Sequence, residues 1–214
     1  MLEKIILDNT VFNYFGKIRS IPFLDLVITH LKTPFYVSEV VFTEANRPGL
    51  LTKYPDVVPL LLDQIQPEGR VFRLCSTFDE FLKQELEMHM DEGEAESIAQ
   101  AYAIHSTVFV SDDLKAAKRL ESIQRKKKGI QLAESFRMVS SFFLLAHLEA
   151  LSILSQEEFE MAKYQYYEAR KFFLQSPGTR QAFMEARMEE MKFAYEVLGI
   201  PISRESLMDK CGAE

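Results

Sequence analysis

Short apolar runs alternate with stretches of helical period along most of this chain, and that alternation restricts the fold more than any other feature. The runs are Ile5-Ile6-Leu7, Phe35-Tyr36-Val37, Val71 to Leu74 and Thr107 to Val110. Between them, Asn9-Thr10 opens an amphipathic stretch through Phe12, Tyr14 and Phe15, and a second helix fits Ile21 to Leu31. Ser38 is a good N-cap for a short helix carrying Glu44, which Pro48-Gly49 ends. Asp56 to Gln64 is apolar and helical in pattern. Thr77 with Glu80 forms a capping box for a helix to His89, and Asp91-Glu92-Gly93 breaks it. Glu94 to His105 and Leu114 to Lys127 complete the series. Parallel neighbours need crossovers long enough to hold a helix, so this order predicts an α/β fold. The expected sheet is parallel-rich, has four to five strands and is flanked by helices.

The pattern changes after about residue 132. Phe136 to Leu151, Gln156 to Gln175 and Arg180 to Leu198 all read as helices. Ser155 with Glu158 caps one of them, Ser176-Pro177-Gly178 separates the last two, and the chain from Ile200 reads as a loosely held tail. The expected division is an α/β domain over 1–133, an all-helical C-terminal extension over 134–200, and a tail over 201–214.

A chain of 214 residues fits one to two domains and buries a sizeable core without disulfide or metal staples. Cys75 and Cys211 form no CxxC pair, which suits free thiols in a reducing compartment. The opening MLEKIILDNT lacks a charged-then-apolar signal pattern. No apolar run approaches the roughly 18 residues of a membrane span. A cytoplasmic chain with no membrane association is expected. The formal net charge of −7 argues against a passive nucleic-acid coat, which is normally basic. It leaves room for an acidic enzyme that meets phosphate through metal ions.

Sites in open parallel sheets form beyond the carboxyl ends of strands. Asp8 ends the first expected strand, and Asp112-Asp113 ends the fourth. Glu44 lies on the helix after the second strand, and Glu94 begins the helix leading into the fourth. Carboxylates converging on one pocket repel one another, and a divalent cation removes that conflict. Hard oxygen donors of this kind suit Mg²⁺ or Mn²⁺. Carboxylate-held ions most often meet phosphate, so the chemistry implied is hydrolysis of a nucleic-acid backbone. Each acid also has a plainer reading, because Asp and Glu are favoured at N-caps and in first helical turns.

These residues resemble the PIN-domain nucleases. The opening Ile5-Ile6-Leu7-Asp8-Asn9-Thr10 looks like the family's first motif, a strand ending in Asp with Ser or Thr two residues on. Val37 to Glu44 is similar to the second motif, and Asp91-Glu92-Gly93-Glu94-Ala95-Glu96 resembles the Gly-Glu-Ala-Glu variant of the third. Phe109-Val110-Ser111-Asp112-Asp113 looks like the fourth. The resemblance spans residues 3 to 120 and implies a PIN-like fold in which Asp8, Glu44, Glu94 and Asp113 are catalytic and bind the metal. Thr10 would orient Asp8 or a water on the metal. Asp112 and Glu96 stand one or two positions away from Asp113 and Glu94, and either could take the neighbouring role, Asp112 as a further ligand and Glu96 in support. The chain departs from the family in having Glu as the third acid, where many members have Asp, and in continuing well past the domain's usual end.

The segment Lys115 to Lys128 holds Lys115, Lys118, Arg119, Arg125, Lys126, Lys127 and Lys128, opposed by Glu121 alone. Lys115, Lys118 and Arg119 are candidates for RNA backbone contact. A solvated helix face with cations near its C-terminus would select the same residues. His30, His89, His105 and His147 are scattered and read as structural or surface residues. Tyr164, Tyr166, Tyr167, Phe172 and Phe173 could stack bases, but a stripe at this spacing is more often core or interface. Met184, Met188 and Met191 suggest an adaptable packing surface.

The function expected is a divalent-metal-dependent endoribonuclease. The resemblance adds a role as the toxin of a toxin–antitoxin pair, with an antitoxin protein covering the site. The alternatives are an inactive PIN-fold binding or scaffold module, and a metal-dependent nuclease or phosphatase acting on DNA or small phosphate esters. A homo-oligomer is expected, and the C-terminal helices could serve as an oligomerisation arm, a lid or a docking site.

Overall fold

The computed structural model describes residues 4–113, 116, 119, 120, 122, 123 and 136–212, apart from the side chain of Phe173. The chain divides into two compact units: residues 2–16 with 32–139, and residues 17–31 with 140–214. The first contains the sheet and the second is helical.

In the sheet unit, β1 (Ile5–Leu7), β2 (Phe35–Ser38), β3 (Ile65–Gln66), β4 (Phe72–Cys75), β5 (Val108–Val110) and β6 (Arg137–Val139) lie in the order β3-β4-β2-β1-β5-β6. Every neighbouring pair is parallel. The sheet is therefore a six-stranded parallel one, where four to five strands were expected. The two-residue β3 is too short to show a period of two, and it follows directly on the helical pattern that precedes it. β6 lay hidden in the apolar run Phe136 to Leu151, whose helix begins only at Ser141. The Ser140 hydroxyl caps that helix by accepting from Phe142 N.

β1 and β5 are buried throughout, as strands covered on both faces must be. Their side chains alternate between two packed layers. Ile6 and Phe109 sit in register on one face, against Leu82, Leu86, Ile98 and Leu120. On the other face Phe35 stacks on its register partner Phe72, with ring centroids 5.3 Å apart. These layers fix where the strands end, and so where Asp8 and Ser111 begin.

Around the sheet run α1 (Asn9–Lys17), α3 (Glu39–Ala45), α4 (Pro48–Lys53), α5 (Val58–Gln64), α6 (Glu80–Glu87) and α7 (Glu92–Ala103). Ser38 caps α3 as expected, by accepting from Val41 N. The Thr77 capping box does not form. Asp79 caps α6 instead, accepting from Leu82 N, because its carboxylate stands one residue before the first helical turn. Pro48 does not end a helix but opens α4 at its first position, where a missing N–H costs nothing. A Cβ on Gly16 would lie 2.3 Å from the Tyr54 ring, so that contact requires glycine.

The helical unit contains α2 (Phe23–His30), α8 (Ser141–Ala150), α9 (Gln156–Ala169), α10 (Pro177–Glu196) and α11 (Arg204–Cys211). Both bonds of the Ser155–Glu158 capping box are made. Ser176-Pro177 caps α10 and forms its first turn. The segment from Ile200 is not a loose tail. Leu207 and Cys211 of α11 are buried, Lys163 Nζ donates to the Lys210 carbonyl at 2.6 Å, and Tyr167 donates to the Cys211 carbonyl at 2.9 Å. A buried polar network ties α8, α9 and α10. Glu190 accepts from Ser140 N and Ser140 Oγ at 2.8 Å and from Arg187 at 3.0 Å, and Arg187 donates to the Tyr166 hydroxyl at 2.6 Å. Tyr166 thus belongs to the core, whereas Tyr164 and Phe172 are exposed. No helix among the described residues is long and apolar enough to cross a membrane.

Candidate active site

Strand order reverses beside β1. The chain moves outward from β1 through β2 and β4, then returns to place β5 on the other side of β1. The switch point of the sheet therefore lies at the carboxyl ends of β1 and β5, where open parallel sheets commonly bind ligands. Asp8 follows β1, and Ser111-Asp112-Asp113 follows β5.

Asp8 is 5 % exposed. Its Oδ2 accepts from the Thr10 hydroxyl at 2.5 Å and from the Ser111 hydroxyl at 2.9 Å. Thr10 Oγ1 in turn accepts from Asp112 N at 2.9 Å, and Ser111 Oγ accepts from Asp113 N at 3.2 Å. The two strand ends are laced together through these hydroxyls, with Asp8 at the centre. Burial pushes the Asp8 carboxyl above its usual range, against the opposing pull of the Thr10 and Ser111 hydrogen bonds.

Glu94 lies in the first turn of α7, where its N–H donates to the N-cap Asp91 at 2.9 Å. Its carboxyl is buried, and among the described residues Oε2 has no hydrogen-bond partner. Burial, followed by the charges of Asp91, Asp113 and Asp8, pushes this group up to about 8, with Arg119 pulling the other way. Arg119 Nη1 stands 3.7 Å from Glu94 Oε2. Glu44 is half-buried, near the end of α3, and accepts from Asn9 Nδ2 through a short contact. Burial and then the Asp8 charge raise it, Asp91 and Glu92 add to the effect, and Arg47 opposes it. The Glu44 Oε2 also lies against Gly93, 3.5 Å from where a Cβ would stand.

The charge of Asp8 thus reaches both Glu44 and Glu94, and that of Asp113 reaches Glu94. Asp112 is buried beside Asp8 and is joined to Thr10 through its backbone. Glu96 is engaged elsewhere: it pairs with Lys83 at 2.9 Å and accepts from Val40 N at 3.3 Å. Residues two apart on a helix do not share a face, so Glu94 and Glu96 cannot exchange roles by a small shift. Lys115 and Lys118 lie outside the described residues; of the basic candidates only Arg119 is described. Asn9, Asp91 and Ser111 are the contributors that residue type alone did not single out. Asn9 and Ser111 each adjoin an assigned acid, and Asp91 carries the N-cap signature of α7.

Among the described residues, no three acid, histidine or cysteine side chains stand at ligating distance from a single point. The donor set still suits a hard cation. It consists of carboxylates, one of them nearly inaccessible to solvent and with an oxygen lacking a hydrogen-bond partner. No family model, curated protein or solved structure matches this chain.

Proposed function

We propose that this chain is a PIN-like, divalent-metal-dependent endoribonuclease. The observation that carries the reading is Glu94: a buried carboxyl whose Oε2 has no hydrogen-bond partner among the described residues and which feels the charges of Asp91, Asp113 and Asp8. A pocket built this way is costly without a cation and is relieved by one. Asp8, Glu44, Glu94 and Asp113 would hold Mg²⁺ or Mn²⁺. Such an ion supplies Lewis acidity at a phosphodiester and lowers the pKa of water. Thr10 and Ser111 fix the Asp8 carboxylate from two strand ends, so it enters the site already oriented. Asn9 orients Glu44 in the same way. Arg119, half-exposed at the edge of the acids, is placed to meet a phosphate oxygen.

The substrate favoured is single-stranded RNA, in line with the motif order. The role of toxin with an antitoxin partner belongs to the same reading and rests on the motif resemblance alone, and a cytoplasmic location and a homo-oligomeric state are proposed with it. The test is cleavage of a panel of single-stranded RNA, DNA and small phosphate esters in Mn²⁺ or Mg²⁺, with an EDTA control, comparing wild type and Asp8→Asn. Metal-dependent RNA cuts that vanish in the variant support it. Folded protein that neither cleaves nor binds a divalent ion would point instead to an inactive binding module.

A further inference from the structure

Among the described residues, Arg119 is a basic side chain that stands against one of the acids. Its guanidinium lies 3.7 Å from Glu94 Oε2, beyond hydrogen-bond reach, so among the described residues that oxygen has an ion pair but no hydrogen bond. The two partners differ in accessibility. The Arg119 side chain is 45 % exposed, whereas that of Glu94 is 4 % exposed. Leaving the pair would take a positive charge away from buried Glu94, while Arg119 would move into water that already bathes half of it.

We propose that Arg119 is the site's displaceable cation. It occupies the place beside Glu94 while no divalent ion is present, yields that carboxyl group when the ion arrives, and is then free to grip a phosphate of the nucleic-acid backbone. This inference rests on the metal-binding reading of the acids given above. Three features carry it: the unpartnered buried oxygen, the long ion-pair contact, and the asymmetry of exposure. A guanidinium also suits both tasks, since its planar fork matches carboxylate and phosphate alike. The buried Arg187–Glu190 pair, by contrast, is closed by a hydrogen bond at 3.0 Å.

The distinguishing consequence is a change of opposite sign in two affinities. Removing Arg119 removes a competitor for Glu94, so metal should bind more tightly while RNA binds more weakly. The experiment is calorimetric titration of Mn²⁺ into the full chain as wild type, Arg119→Gln and Arg119→Lys. It is followed by binding of single-stranded RNA in Ca²⁺, chosen as a divalent ion that seldom supports phosphodiester cleavage. Arg119→Gln should bind Mn²⁺ roughly two- to fivefold more tightly, the range expected for a partly exposed pair. It should also bind RNA more weakly, and Arg119→Lys should restore wild-type metal affinity and part of the RNA affinity. Mn²⁺ bound equally or more weakly by Arg119→Gln overturns the inference and leaves the metal reading standing. No Mn²⁺ bound by any of the three folded proteins overturns the metal reading, and the inference with it.

Discussion

Ser111 and Asp8 are 103 residues apart in sequence and 2.9 Å apart in space, joined by a hydrogen bond from hydroxyl to carboxylate. That bond crosses from the end of β5 to the end of β1 and sets the orientation of a buried acid at the switch point. Ser111→Ala should leave Asp8 Oδ2 with Thr10 as its remaining side-chain donor. The expected cost is about 1–3 kcal/mol of stability, as for other buried polar groups left short of a partner. Metal affinity should fall by roughly 10- to 100-fold, the usual effect of losing a residue that orients a ligand. Urea denaturation and Mn²⁺ titration read the two effects separately.

Asp8→Asn should act differently. It removes a buried charge rather than a donor, so metal-free protein should melt at the same temperature or higher. Cleavage and metal binding should fall by more than roughly 100-fold, beyond the effect of an orienting residue alone. A variant that loses activity because it has unfolded would show instead in the circular dichroism spectrum.

The pH dependence follows from Glu94, whose carboxyl moves from 4.5 to about 8 on folding. Between those values the folded chain holds a proton that the unfolded chain has released. Stability of the metal-free protein should therefore fall as pH rises from 5 to 8, and Glu94→Gln should flatten that slope. Adding Mn²⁺ at pH 8 should restore the melting temperature, since an ion that binds only the folded chain stabilises it. Thermal melts across this window, with and without metal, check both signs.

In the helical unit, Arg187 is 2 % exposed and shares its charge with Glu190. Arg187→Met should cost about 3–5 kcal/mol, because Glu190 would remain buried without its cation. Adding Glu190→Gln to that variant should recover part of the loss. Chemical denaturation of the two variants gives the comparison.

Much of the sheet could be read from the chain because β1 and β5 are buried on both faces, and β2 largely so, and they stand out as apolar runs. Asp8, Glu44, Glu94 and Asp113 were legible for a related reason, since each lies just beyond a strand or near a helix end. β6 was not, because Arg137-Met138-Val139 merges with the apolar helix after it, and only the paired serines mark the join. α11 was missed because its polar sequence hides two buried anchors, Leu207 and Cys211. The choice between Glu94 and Glu96 needed the structure, as both fit the motif and only the helix phase separates them. Lys83, the partner that holds Glu96 away, lies on a different helix.

The reversal of strand order beside β1 also bears on synthesis. Asp8, Glu44 and Glu94 leave the ribosome before Val108–Val110 emerges and takes its place against Ile5–Leu7. A nascent chain shorter than this carries three of the four acids, with neither Ser111 nor Asp113 to complete the site. Should the site cut RNA, the growing polypeptide is harmless to the message being translated until nearly the whole sheet unit has been made.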